Sequence, residues 1–78
     1  MTENTNPPVA KLRVGRIHAA IWKRKTETGS FFTATFERRY RDGEGQWKST
    51  GSYDADDLLA LSKAADLAHT RILELDAE

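Results

Sequence analysis

A chain of 78 residues without cysteine makes one small domain, and neither a disulfide nor a thiolate zinc site is there to staple it. No apolar run approaches the ~20 residues that cross a bilayer as a helix, and the opening MTENTNPP lacks the apolar centre of a secretory signal, so a cytoplasmic protein with no membrane partner is expected. The zero net charge hides a segregation: residues 9–50 hold ten Lys/Arg against four acids, while residues 51–78 hold two against seven, an asymmetry that can mark an anion-binding surface.

Met1–Pro8 is polar, carries both prolines and shows no periodicity, so a disordered arm is expected over residues 1–8 and a single domain over residues 9–78. From about Val9 to Lys25 the pattern is extended, with Leu12 and Val14 followed by Ile17, Ala19 and Ile21. Period two keeps parity fixed along a strand, so the switch at Gly15-Arg16 requires a bulge, a bend or two separate pieces. Thr26-Glu27-Thr28-Gly29 reads as a turn with Gly29 suited to a positive φ. A four-residue loop there pairs Lys25 with Ser30, Lys23 with Phe32, Ile21 with Ala34 and Ala19 with Phe36.

The stretch SFFTATFERRYRDGEGQWKSTGSY, Ser30 to Tyr53, is two aromatic, Thr-rich runs around Asp42-Gly43-Glu44-Gly45, the pattern of a β-hairpin. A four-residue loop over Asp42–Gly45 pairs Arg41 with Gln46, Tyr40 with Trp47, Arg38 with Ser49 and Phe36 with Gly51. Alternation then gathers Phe32, Ala34, Phe36, Arg38, Tyr40, Trp47 and Tyr53 on one face. Because the preceding turn adds Ile17, Ala19 and Ile21 to the same side, both turns agree that this is the core face. The opposite face collects His18, Ala20, Trp22, Arg24, Phe31, Thr33, Thr35, Glu37, Arg39, Arg41, Lys48 and Thr50.

A helix starts at Asp54, an N-cap, with Asp56 and Asp57 in its first turn where the helix dipole favours negative charge. Leu58, Leu61, Ala65, Ala68, Ile72 and Leu75 form one buried stripe, and Phe36 is expected to pack on Leu61 and Ala65. The fold class is therefore α+β: a three- to four-stranded antiparallel meander with one C-terminal helix on one face. Size and lack of staples, with Leu59 and Leu67 off the stripe, point to a homodimer.

Nothing along the chain assembles a catalytic constellation, so a non-enzymatic protein without cofactor or metal is expected. His69 flanks the helix stripe, Asp56 and Asp57 are accounted for by capping, and Gly43-Glu44-Gly45 lacks the helix that a phosphate loop needs. The informative surface is the outer sheet face. Trp22 and Phe31 stand there among Arg24, Arg39, Arg41, Lys48, His18, Thr33 and Thr35. Such interleaving suits single-stranded nucleic acid, whose bases stack on rings while cations neutralise phosphates. The alternative is a protein-interaction surface, or cover from the chain's own Leu12 and Val14.

From Phe31 to Ile72, FFTATFERRYRDGEGQWKSTGSY followed by DADDLLALSKAADLAHTRI resembles the positive-cofactor-four family of single-stranded-DNA-binding transcriptional coactivators. In that family an aromatic strand with a basic tail enters an acidic Gly turn, then a Lys-containing strand and a Leu-rich C-terminal helix. The resemblance implies a homodimer that grips unpaired strands without sequence preference, with Arg39, Arg41, Lys48 and Trp47 as contacts. The hairpin register disagrees on Trp47, placing it on the helix side. The Ser52-Tyr53-Asp54 passage and the long basic stretch Lys11–Lys25 depart from the family pattern.

Overall fold

The computed structural model describes residues 7–77; the arm expected over residues 1–8 lies, but for Pro7 and Pro8, outside them. Four strands, β1 (Ala10–Val14), β2 (Ile17–Thr26), β3 (Gly29–Arg41) and β4 (Trp47–Thr50), are followed by one helix, α1 (Ala55–Asp76). The strands form one antiparallel sheet in the order β1-β2-β3-β4, and α1 packs on one side of it. This is the expected α+β meander.

The parity switch resolves as a tight hairpin rather than a bend. Val14 stands opposite Ile17 with only Gly15-Arg16 between them. Gly15 has φ +60° and Arg16 does not have a positive φ, the pattern of a two-residue II′ loop whose twist suits the flanking strands. Pairing Val14 with Ile17 puts the even-numbered apolar residues of β1 on the same face as the odd-numbered ones of β2.

The β2–β3 register is the expected one: Lys25 faces Ser30, Ile21 faces Ala34 and Ala19 faces Phe36. Thr26 and Gly29 also pair, which leaves Glu27-Thr28 as the loop. Gly29 does not take the positive φ that the sequence suggested. The turn is held instead by Thr26, whose hydroxyl donates to the Gly29 carbonyl at 3.1 Å and accepts the Thr28 N–H at 3.3 Å.

The β3–β4 register differs from the expectation by one residue: Arg41 faces Trp47, Tyr40 faces Lys48 and Arg38 faces Thr50. Asp42 is the cause. Its Oδ1 accepts the backbone N–H groups of Glu44 (2.8 Å) and Gln46 (2.9 Å), and its own N–H donates to the Gln46 carbonyl at 2.9 Å. Asp42 thus faces Gln46 across an odd loop of three residues, in which Gly45 takes φ +82°. An odd loop exchanges the faces of everything after it. Trp47 moves to the outer face, and Lys48 and Thr50 move to the helix side.

The helix opens with a capping box: the Asp54 side chain accepts the Asp57 N–H at 3.2 Å, and the Asp57 side chain accepts the Asp54 N–H at 3.5 Å. Asp57 is also buried, 4% exposed. Arg16 Nη2 lies 2.8 Å from its Oδ1 and Arg38 Nε 3.2 Å from its Oδ2, so cations from the first turn and from β3 converge on the start of α1. This anchor turns the helix away from the expected stripe. Asp57, Ala64 and Ala68 are buried, Leu61, Ile72 and Leu75 are half-buried, and Leu58 and Ala65 are exposed. The core is Ile17, Ala19 and Ile21 against Ala64 and Ala68, small residues that let the helix lie close. Because α1 sits over β2 and β1 and barely reaches β3, Phe36 is only half-buried and the expected burial of Ala65 on it is absent.

Candidate functional site

The face opposite α1 is built by alternation. β1 contributes Lys11 and Arg13, β2 His18, Ala20, Trp22 and Arg24, β3 Phe31, Thr33, Thr35, Glu37, Arg39 and Arg41, and β4 Trp47 and Ser49, as the strand registers require. Leu12 and Val14 pair with Ala19 and Ile17 and so face the helix, which removes them as cover for the outer aromatics.

At one end, Trp22 donates its indole N–H to Thr35 Oγ1 at 2.9 Å, and Arg24 Nε donates to Thr33 Oγ1 at 3.2 Å. These cross-strand bonds hold both side chains along the sheet, with the Arg24 guanidinium 5.8 Å from the Trp22 ring centroid. Phe31, 49% exposed, stands across from Arg24. At the other end the Arg41 guanidinium lies 5.1 Å from the centroid of Trp47, a ring 63% exposed. Thr33, opposite Trp22, and Arg41, opposite Trp47, lie eight positions apart along β3, a span of about 26 Å at ~3.3 Å per residue.

Two shallow depressions connect these ends. One of about 400 Å³ is lined by Lys11, His18, Trp22, Thr35, Glu37 and Arg39 among others. A second, of about 450 Å³, is lined by Arg13, Arg16, His18, Arg39, Tyr40, Arg41 and Trp47. His18 and Arg39 belong to both, so the aromatic ends are joined by one continuous track. Burial, with Arg39 and Arg13 beside it, holds the His18 imidazole below its ordinary pKa, against a smaller opposing pull from Glu37. Arg39 itself reaches Glu37 at 3.3 Å on the surface.

Of the residues singled out in the sequence, Trp22, Arg24, Phe31, Thr33, Thr35, His18, Arg39 and Arg41 come together here. Lys48 does not. It lies on the helix side, its Nζ 3.3 Å from Asp42 Oδ2. Trp47, placed inside by alternation across the assumed even loop, is on the outer face. Lys11 and Arg13 were missed because the β1–β2 hairpin that brings them beside Ala20 and His18 was not resolved from a bend. Gly15 was the available signal for that hairpin.

The arrangement offers stacking surfaces, hydroxyls and cations, with His18 opposite Glu37 across β2 and β3. Among the described residues, no group of three or more His, Cys, Asp or Glu side chains is placed to hold a metal ion, and no helix is long and apolar enough to cross a membrane. No family model, no curated protein and no solved structure matches the chain.

Proposed function

We propose that the protein is a non-enzymatic binding protein whose outer sheet face holds single-stranded nucleic acid. Bases stack on Trp22, Phe31 and Trp47, and the cations Lys11, Arg13, Arg24, Arg39 and Arg41 neutralise phosphates along the track between them. The observation that carries this reading is the pair of aromatic–cation stations joined through His18 and Arg39. An exposed cation–π contact contributes ~0.5–1 kcal/mol, less than the ~1–3 kcal/mol of a stacked base. Arg24 and Arg41 therefore give up their rings readily and turn to phosphates as bases arrive. A duplex keeps its base faces stacked internally and offers nothing to these rings, so unpaired strands are the preferred ligand. The resemblance of the β3–β4–α1 layout to the positive-cofactor-four family points the same way.

Tryptophan fluorescence tests this directly, because both tryptophans lie on the proposed surface. An unlabelled single strand of ~20 nucleotides, longer than the ~4–16 covered by one small β-domain, quenches the emission in a salt-dependent titration. Trp22→Ala and Trp47→Ala each lose ~1–3 kcal/mol of binding with circular dichroism unchanged. Absence of salt-dependent binding to single strands overturns the proposal and returns the face to a protein partner.

A further inference from the structure

β3 is longer than the strands beside it. β2 pairs with it from Gly29 to Arg38, whereas β4 pairs only from Arg38 to Arg41. From Ser30 to Glu37, one side of β3 therefore carries no strand among the described residues. Two bonds fix which residues point there. The Arg39 N–H donates to the Arg16 carbonyl on the β2 side, and the Asp42 N–H donates to the Gln46 carbonyl on the β4 side. Along an antiparallel strand the backbone groups alternate between its two neighbours. Odd-numbered residues of β3 thus bond to β2, and the N–H and C=O groups of Ser30, Phe32, Ala34 and Phe36 point to the open side. Pairing with β4 stops there because Ser52, next in register opposite Phe36, is engaged elsewhere. Its N–H donates to Thr50 Oγ1 at 3.1 Å, and its carbonyl accepts Arg38 Nε at 3.2 Å.

We infer that this edge docks an extended segment of another protein, which adds a strand beside β3 and brings an acidic end next to Ser30. The outer edges of the sheet are blunted: β1 presents Lys11 and Arg13 and is preceded by Pro8, and β4 is four residues long and contains Lys48. The open edge of β3 has none of these devices. Its seven residues Ser30–Phe36, SFFTATF, include no charge, no proline and no glycine, and their pairing with β2 runs without a bulge. Such a bare, uncharged edge is a template for strand addition. Its outward amides, two residues or roughly 6.6 Å apart, are matched by the backbone of an extended polypeptide. On the helix side, Phe32, Ala34 and Phe36 are half-buried and take the partner's alternate apolar side chains. Charge selects between partners. Lys25 and Lys23 stand opposite Ser30 and Phe32 on that same side, both exposed, and neither has an ion-pair partner among the described residues. A second copy would lay its own uncharged Ser30–Phe36 there and leave both cations unmet, whereas carboxylates at that end of a different segment pair with them.

Amide NMR on the full chain tests this with two octapeptides of alternating Val and Thr, one ending in a pair of Glu and the other in a pair of Lys, each made in both chain directions. In one direction the Glu peptide is expected to slow hydrogen exchange of the Ser30, Phe32, Ala34 and Phe36 amides. The amides of Phe31, Thr33 and Thr35, already bonded to β2, should not change. The Lys peptide should bind about fivefold more weakly, since exposed ion pairs contribute modestly, and the double variant Lys23→Glu, Lys25→Glu should reverse that order. Ala34→Pro removes an outward N–H that no strand of the fold uses, so it should fold and lose the peptide. If Ala34→Pro unfolds instead, the exchange pattern and the charge reversal still decide. No protection by either Glu peptide at millimolar concentration overturns the inference, and so does equal binding of the Glu and Lys peptides or undiminished binding by a folded Ala34→Pro. Slow exchange of the same four amides in the free chain, at twice the monomer mass, also overturns it, because a second copy then holds the edge. The outcome is independent of what the outer face binds.

Discussion

Asp57 shows how one side chain can set the position of a whole helix. In the sequence it is one of two acids in a first helical turn, and its capping role is legible there. That Arg16 and Arg38, 41 and 19 positions upstream in the chain, would converge on it is not legible, because neither arginine carries a local signal of where it points. Burial pushes the Asp57 carboxyl up, but the hydrogen bonds from Arg16 and the Asp54 N–H, with the charge of Arg16, outweigh this and hold it below its ordinary value of 3.8. A carboxylate with a depressed folded pKa contributes stability above 3.8, and that stability is lost as pH falls through the folded value. Thermal melts of Asp57→Asn should therefore lie below the wild type at neutral pH and converge with it under strong acid. His18 runs the other way. Its folded pKa is already below 6.5, and a phosphate bound nearby would raise it. Binding then takes up a proton, so affinity for a single strand should strengthen as pH falls toward the depressed His18 pKa of the free protein, and His18→Gln should flatten that dependence. A pH-independent wild-type affinity between neutral and mildly acidic buffer would remove His18 from the site.

At the scale of elements, the three turns divide what sequence can specify from what it cannot. The β2–β3 register was readable because alternation in Ile17, Ala19 and Ile21 matches that in Ala34, Phe36 and Arg38 across an even loop. The β3–β4 loop was not, because alternation does not say whether Gly45 closes a four-residue loop or lengthens a hydrogen-bonded turn. The Asp42 carboxylate decides it, and with it the faces of Trp47 and Lys48. The helix stripe was readable to within one residue. It missed at Leu58 and Ala65 because the apolar side of α1 exceeds what β1 and β2 cover, so hydrophobic periodicity and monomer burial diverge there. Glycine substitutions test the turn assignments by urea denaturation. Gly15→Ala and Gly45→Ala place a side chain at φ +60° and +82° and should each destabilise by about 1–2 kcal/mol, the cost of left-handed backbone. No atom lies within 4 Å of an added Cβ at either position, so the loss is backbone strain alone. Gly29→Ala, with no positive φ and equally open surroundings, should show no such loss. Equal effects at all three positions would contradict the loop geometries.

For the molecule as a whole, the segregation of charge matters more than its sum. A chain of zero net charge attracts a polyanion more strongly if its cations are gathered and most of its anions are held elsewhere, and the fold does this by putting the acid-rich segment on the far side of the sheet, leaving Glu37 beside Arg39 on the outer face. Five cations reach the outer face: Lys11, Arg13, Arg24, Arg39 and Arg41. Each phosphate neutralised on a single strand contributes ~0.7 to the slope of log affinity against log salt, so if all five engage the slope should be about −3.5. Arg39→Ala and Arg41→Ala should each flatten it by ~0.7 and weaken all sequences alike. Lys48 is the discriminating residue. The family resemblance counts it as a contact, whereas the three-residue loop turns it to the helix side and pairs it with Asp42. Lys48→Ala should therefore leave the salt slope unchanged while Arg41→Ala, one cross-strand position away, does not. If Lys48→Ala flattens the slope as Arg41→Ala does, the strand does not follow the outer face. The ligand track must then cross the β4 edge onto the side that carries the helix.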